Sequence, residues 1–280
     1  MAHASKPRSR WMTRGLLYVL LATSSVLMMI PFYWMVSSSL KQEAAVFASP
    51  PNWLPNPVSF NGYQNILSRG VFLRYLLNSV LVSVGITAGH VIFDTLAAYA
   101  FAKLRFPGRN FIFFIMLLGL MVPFQVNLIP LYRIMSSLHW LDTFAALIVP
   151  NMTSIFGIFL MRQFMFSIPD EILDAARIDG CSEWGVVGKV VAPLALPGIA
   201  TLVIFVFMES WNSFLWPRIV TTSEAMFTLP VGLAQLQMKN TSNWATNMAG
   251  TTLVALPMIL VFLLMQRRFM ADLTAGAVRG

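Results

Sequence analysis

Between residues 15 and 40 the chain carries no charged side chain at all. A helix of that length, rising about 1.5 Å per residue, crosses the roughly 30 Å hydrocarbon layer of a bilayer with room for tilt. Similar apolar runs recur at about 75–101, 110–129, 143–161, 198–214 and 248–265, the third interrupted by Pro123 and the fourth by Pro150. A secretory signal peptide is the competing reading of the first run. Its apolar core is shorter, about 7–15 residues, so residues 15–40 read as a retained span. The expectation is an all-α integral membrane protein of six transmembrane helices, organised as an N-terminus (1–14), a transmembrane domain (15–265) and a C-terminal tail (266–280). Composition agrees. Only 11% of the 280 residues are charged, against about a quarter in a soluble domain.

The net charge of +8 is distributed in a way that excludes nucleic acid, because the cations are scattered between apolar segments and form no basic patch or stripe. They report topology instead. Six spans put both termini on one side. If that side is the cytoplasm, the inner segments hold 13 of the 19 Lys and Arg, as positive residues prefer. Between the first two spans lies a polar connection, 41–74, with Pro50, Pro51, Pro55 and Pro57. Its aromatic-containing piece, 60–66, reads as a short helix on the membrane surface. The single cysteine, Cys181, excludes an internal disulfide framework, and no Cys/His cluster has zinc spacing.

Residues 167–197, SIPDEILDAARIDGCSEWGVVGKVVAPLALP, form the longest stretch containing acids and fall on the inner side of this topology. Pro169, Asp170 and Glu171 suit a helix start, where carboxylates meet the positive end of the helix dipole. Ile172, Leu173, Ala175 and Ala176 follow at helical spacing, and Asp174 and Arg177 lie three apart on the wetter side. Gly180 stands where a helix ends in a left-handed residue. Ser182 suits the cap of a second helix, and Pro193 and Pro197 lead into the next span. The unit reads as helix, glycine turn, helix.

Asp174-Ala175-Ala176, Asp179-Gly180, Pro193 and Pro197 resemble the "EAA" loop of the membrane subunits of bacterial ABC importers. Asp174 replaces that pattern's usual glutamate, and Ala192 its usual leucine before the proline. The resemblance extends through LLNSV (76–80), AYAFAKLRFPGRNF (98–111) and the WNSFLWP stretch to the tail LTAGAVRG, and is strongest to the sugar-importing, maltose-transporter-like branch. It implies a type I importer permease fold, with a cytosolic coupling loop gripped by an ATPase through Glu171, Asp174, Ala175, Ala176, Asp179 and Gly180. The implied partners are a second permease subunit, two ATP-binding cassette subunits, an extracytoplasmic solute-binding protein and membrane lipid. The implied location is the bacterial inner membrane, and in well-known relatives the tail reaches the ATPase dimer interface.

No cofactor is expected on this chain. Gly188-Lys189 is followed by Val190, with Glu183 where a Walker A glycine belongs, so ATP and Mg are expected on the ATPase. Enzymatic chemistry has little support: His3, His90 and His139 are far apart, and no G-x-S-x-G elbow exists. A membrane-bound lipid-modifying enzyme would need a polar catalytic cluster, which the sequence lacks. Two sets of intramembrane polar residues remain. Glu209, Trp211, Asn212 and Trp216 suit a neutral polyhydroxylated solute and are equally suited to an interfacial aromatic belt. His90 and Asp94 share a helix face, either as a structural pair or as the relay of a proton-coupled secondary carrier.

Overall fold

The structure, a computed structural model, describes residues 7–68, 70–239 and 243–277. The first six residues of the expected N-terminal segment and the last three of the tail lie outside the described residues. Among the described residues there are helices and no strands. The chain divides into two compact units, Met1–Arg69 with Leu236–Leu253, and Gly70–Gln235 with Val254–Gly280.

In the first unit, helix α1 (Pro7–Ser39) is largely apolar beyond Arg14 and exposed on every side as far as Tyr33, as at Tyr18, Val26 and Met28, while Ser37, Ser38 and Ser39 at its end are buried. The proline-rich connection is ordered by polar contacts. Lys41 Nζ donates to Asn52 O and sits over the Trp34 ring, and Ser37 Oγ donates to Trp53 O. Two short helices follow, α2 (Glu43–Val46) and α3 (Asn61–Leu67). The α3 helix covers the piece expected as a short surface helix. Glu43 spans the start of the final helix, its two carboxylate oxygens accepting the backbone N–H groups of Trp244 and Ala245 at 2.7 and 2.8 Å. Those amides have no partner within their own helix, so the carboxylate satisfies them and complements the dipole.

The second unit is built on helix α4 (Val71–Lys103), which is long and apolar enough to cross a membrane unaided. Three further helix pairs are apolar enough together and are sharply bent. Helix α5 (Arg109–Leu118) runs through a 3₁₀ turn to Met121, and α6 (Phe124–Ser137) leaves at 99° to it. The corner is chemical: a residue before proline is pushed out of the α region, and Val122, preceding Pro123, is extended at ψ 114°. The expected span 110–129 straddles this corner. Helix α7 (Phe144–Ile148) with its 3₁₀ turn and α8 (Ile155–Phe166) meet at 44°.

The acid-bearing stretch supplies α9 (Asp170–Ile178), then a continuous coil of α10 (Glu183–Gly185), a π turn (Val186–Val191) and α11 (Ala192–Leu194). Pro193 offers no N–H, so the ordinary ladder loses a donor there. The Ala192 N–H reaches back five residues to Val187 O, and the wider turn absorbs the defect. A 79° corner at Ala195 opens α12 (Leu196–Asn212), with Pro197 in its first turn. The remaining helices are α13 (Leu215–Val220), α14 (Leu229–Lys239) and α15 (Trp244–Ala277). Arg267 and Arg268, expected to stop the last span, lie inside α15, whose backbone stays helical through most of the expected tail.

The core lies where α8 and α12 pack on α4: Val82, Ile86, Ala98 and Tyr99 meet Met161, Met165, Leu202 and Val206. Gly157 makes the approach of α8 possible, since a β-carbon there would run into the Asp94 carboxylate. Three helices span by length and composition alone, and the three bent pairs bring the number to six if each is one crossing.

Candidate functional site

The Ser167–Pro197 region holds the expected helix–turn–helix in detail. Helix α9 starts at the extended Pro169, with Asp170 and Glu171 in its first turn. It ends in a paired cap: Gly180 N–H donates to Arg177 O and Cys181 N–H to Ala176 O, both at 3.0 Å. This cap requires a left-handed residue, and Gly180 has φ +83°. Nothing lies within 4 Å of where its β-carbon would be, so backbone conformation and not space selects glycine. Ser182 caps the next helix, its Oγ accepting the Gly185 N–H.

The two faces of α9 differ. Leu173 is buried beside Val186 and Val191, and Ala176 is half-buried against the same core. Outward stand Glu171, Asp174, Ala175 and Ile178, three or four apart and therefore on one stripe, flanked by Ile172 and Asp179. Ile178 is 86% exposed, and beyond the turn Trp184 is 75% exposed. The adjacent alanines thus part company, Ala175 outward and Ala176 inward.

Two clamps fix this hairpin to the end of α4. Lys103 Nζ donates to Asp170 Oδ1 and Ile168 O, each at 2.6 Å. That hydrogen bond, with the ammonium charge, holds the Asp170 carboxyl below the usual carboxylate range. In the second clamp, Arg177 donates to Asp174 Oδ1 and Glu183 Oε1, both at 2.8 Å, and Tyr99 Oη donates to Glu183 Oε2 at 2.6 Å. The hydrogen bond to Glu183, followed by the one to Asp174, raises the Arg177 guanidinium further above its ordinary value. Sequence reasoning missed Tyr99 and Lys103 as parts of this unit, and gave Glu183 and Trp184, which lie within 167–197, no role in it. Tyr99 and Glu183 are 84 residues apart, and no local pattern joins them.

A second feature lies among α4, α6, α7, the link into α8, α12 and α13. It is a cavity of about 270 Å³ whose walls include His90, Asn151, Thr153, Glu209, Ser210 and Trp216. Ser210 Oγ is buried without a hydrogen-bond partner. Of the four residues expected near a solute, Glu209 and Trp216 line this cavity; Trp211 and Asn212 do not. Trp216 is pinned, its Nε1–H donating to Ala146 O at 2.9 Å. Trp211 is 1% exposed, stacked on Phe207, and donates to Val254 O. Asn212 donates to Met208 O of its own helix.

His90 Nδ1 meets Asp94 Oδ2 at 2.5 Å, while Asp94 Oδ1 accepts Thr153 Oγ1–H at 2.6 Å and Ser154 N–H at 3.2 Å. The wholly buried carboxylate therefore ties α4 to the start of α8. This is the geometry of a structural pair, and the proton-carrier alternative finds no support in it. Among the described residues, no three His, Cys, Asp or Glu are grouped to hold a metal.

Comparison with known proteins agrees with this arrangement. The family described as "Binding-protein-dependent transport system inner membrane component" matches residues 94–274. The arabinooligosaccharides transport system permease protein AraQ of Bacillus subtilis (strain 168) is 34% identical over 259 residues, covering 91% of this chain and 92% of its own. The sn-glycerol-3-phosphate transport system permease protein UgpE of Yersinia pestis bv. Antiqua (strain Antiqua) is 33% identical over 264 residues, 91% and 94% of the two chains. Among solved structures, a chain of a bacterial ABC transporter involved in the import of the acidic polysaccharide alginate superposes with TM-score 0.83 at 26% identity, covering 94% of this chain and 98% of that one. The matched relatives are transport permeases, neither enzymes nor proton carriers by description. The chain belongs to the binding-protein-dependent transport system inner membrane components, and is a multi-pass permease subunit of an ABC importer.

Proposed function

We propose that this subunit forms half of the membrane path for a sugar or sugar-like solute and is driven through the α9 hairpin. Residues 15–265 carry six crossings, with 1–14, 167–197 and 266–280 in the cytoplasm of a bacterial cell and the long connections outside. A second permease subunit completes the path, a solute-binding protein delivers solute from outside, and two ATP-binding cassette subunits work from within. ATP and Mg belong to those ATPases.

The observation that carries the reading is a stiff hairpin with one exposed face. Glu171, Asp174, Ala175 and Ile178 point outward on a short helix whose inner side is buried and clamped. Asp179 and Gly180 set the turn. A coupling element must transmit displacement without absorbing it, and it shifts an equilibrium only through contacts that differ between states. Glu209 and Trp216 are the residues of this chain best placed to meet solute, and Trp211 and Asn212 support the end of α12. The sugar-like class rests on the arabinooligosaccharide and alginate transporters among the similar proteins. UgpE, which serves sn-glycerol-3-phosphate, keeps the class at polyhydroxylated solutes rather than one sugar.

The test is a cross-link from the hairpin. With Cys181→Ser as background, Ile178→Cys carrying a short photo-reactive thiol label is expected to capture a nucleotide-binding subunit, with a yield that changes between nucleotide-free and ATP-trapped complex. Capture of lipid or solvent alone in both states would overturn the coupling role.

A further inference from the structure

The link from α4 to α5 holds an open cleft of about 360 Å³, lined by Arg105, Phe106, Gly108, Arg109, Asn110 and Phe111. Its cations are not used as their neighbour is. Lys103 is committed to Asp170 and Ile168. Arg109 gives one Nη1–H to Leu104 O and leaves the rest of its five-donor fork. Arg105 is exposed, and neither arginine is in an ion pair among the described residues. The cleft therefore carries two positive charges and no acid on its walls.

Its surroundings identify what would neutralise them. A membrane-length helix ends at Lys103, and the apolar α5 begins at Arg109, so the link stands at the polar boundary of the bilayer. Along α5, Phe111, Ile112, Phe114 and Ile115 are exposed, continuing the cleft into an apolar surface. A soluble anion would match the arginines and leave that surface unused. A protein partner's carboxylate would need a chain inserted at headgroup level. We propose that this cleft binds the phosphodiester headgroup of an anionic membrane phospholipid, with both guanidiniums on phosphate oxygens and the acyl chains along the exposed face of α5. Guanidinium forks match phosphate oxygens in pairs, and basic pockets between membrane helices hold such headgroups. The inference is independent of which solute is carried.

The experiment uses the full chain, extracted with whatever subunits accompany it from membranes containing phosphatidylcholine and phosphatidylglycerol. After extended washing in detergent, retained lipid per complex is counted by mass spectrometry. Wild type is expected to keep phosphatidylglycerol in preference to phosphatidylcholine, and Arg105→Gln with Arg109→Gln to lose that retention by roughly tenfold or more. The Arg105→Lys, Arg109→Lys pair should keep part of it. Should the double glutamine variant fail to assemble, Arg105→Gln alone carries the test, because that exposed side chain is in no ion pair among the described residues. Equal retention in wild type and variants would overturn the site. So would competition of the retained lipid by millimolar inorganic phosphate, which would make the cleft a site for a soluble ion.

Discussion

Helix α4 carries two polar clusters, and they are built for different purposes. At its middle, His90 and Asp94 are buried, and the carboxylate accepts from Thr153 and Ser154 as well. Both carboxylate oxygens have protein partners, so the cluster ties α4 to the start of α8. At its end, Tyr99 and Lys103 hold the hairpin through Glu183, Arg177 and Asp170, all partly in water. Exposed ion pairs contribute little stability each, yet six side chains in two clamps restrict how the hairpin can tilt on α4. The lesson is that burial, not charge, separates a pin from a handle. The intramembrane pair that looks most like chemistry is the pin.

Mutation of the pin should have the largest effect. Asp94→Ala removes the buried acceptor shared by Thr153 and Ser154, at a cost of about 3–5 kcal/mol. Full-length protein in membranes and its melting temperature in detergent should both fall sharply, whereas Asp94→Asn, which keeps volume and one acceptor, should fall less. A variant that is stable but transports without proton coupling would instead revive the carrier reading. The turn comes next. Gly180→Pro cannot adopt φ +83° and loses the N–H given to Arg177 O, so solute uptake should vanish while membrane levels stay normal. Gly180→Ala should cost about 1–2 kcal/mol, confined to the hairpin, visible as faster amide exchange over residues 170–185.

The handle itself should be milder. Glu183→Gln weakens both the Arg177 pair and the Tyr99 hydrogen bond, by about 1 kcal/mol or less given its exposure. Its signature is a fall of a few-fold in solute moved per ATP with folding unchanged. A loss of stability matching that of Asp94→Ala would erase the distinction between the two clusters. The smallest effect is a pH dependence. Asp170 has a lowered folded-state pKa, so its stabilising contribution is fully present above the ordinary carboxylate value and is lost as pH falls through the depressed one. Amide protection at the start of α9, taken relative to the intrinsic exchange rate at each pH, should therefore fall below about pH 4, and Asp170→Asn should remove that dependence.

Much of this was legible in the sequence because membranes impose a simple length rule. The apolar runs mark the helices, Pro123 marks a corner, and Asp174 through Gly180 with Ser182 spell out a helix, its left-handed stop and the next cap. Other features depend on packing between distant parts of the chain. Pro123 gives a break but not an angle of 99°, which depends on what α5 and α6 pack against. Arg267 and Arg268 end the apolar run without ending the helix, since arginine is a good helix former and the bilayer boundary restricts side chains, not backbone. Trp211 and Trp216 look equivalent as aromatic residues near the end of one span. Only packing assigns one to a backbone carbonyl on α15 and the other to a cavity wall. The clamp of Tyr99 on Glu183 joins residues too distant for any periodicity to connect.

The π turn at Val186–Val191 gives the segment behind the hairpin a fixed length in a way its sequence alone conceals. A helix advances about 100° per residue, so adding one residue to this coil, whose wide turn already holds an extra one, would swing everything before it by more than a quarter revolution about the axis of α10. Trp184 and the stripe on α9 would then face the wrong quarter of the compass while every helix remained intact. For this chain, phase is a property as strict as fold.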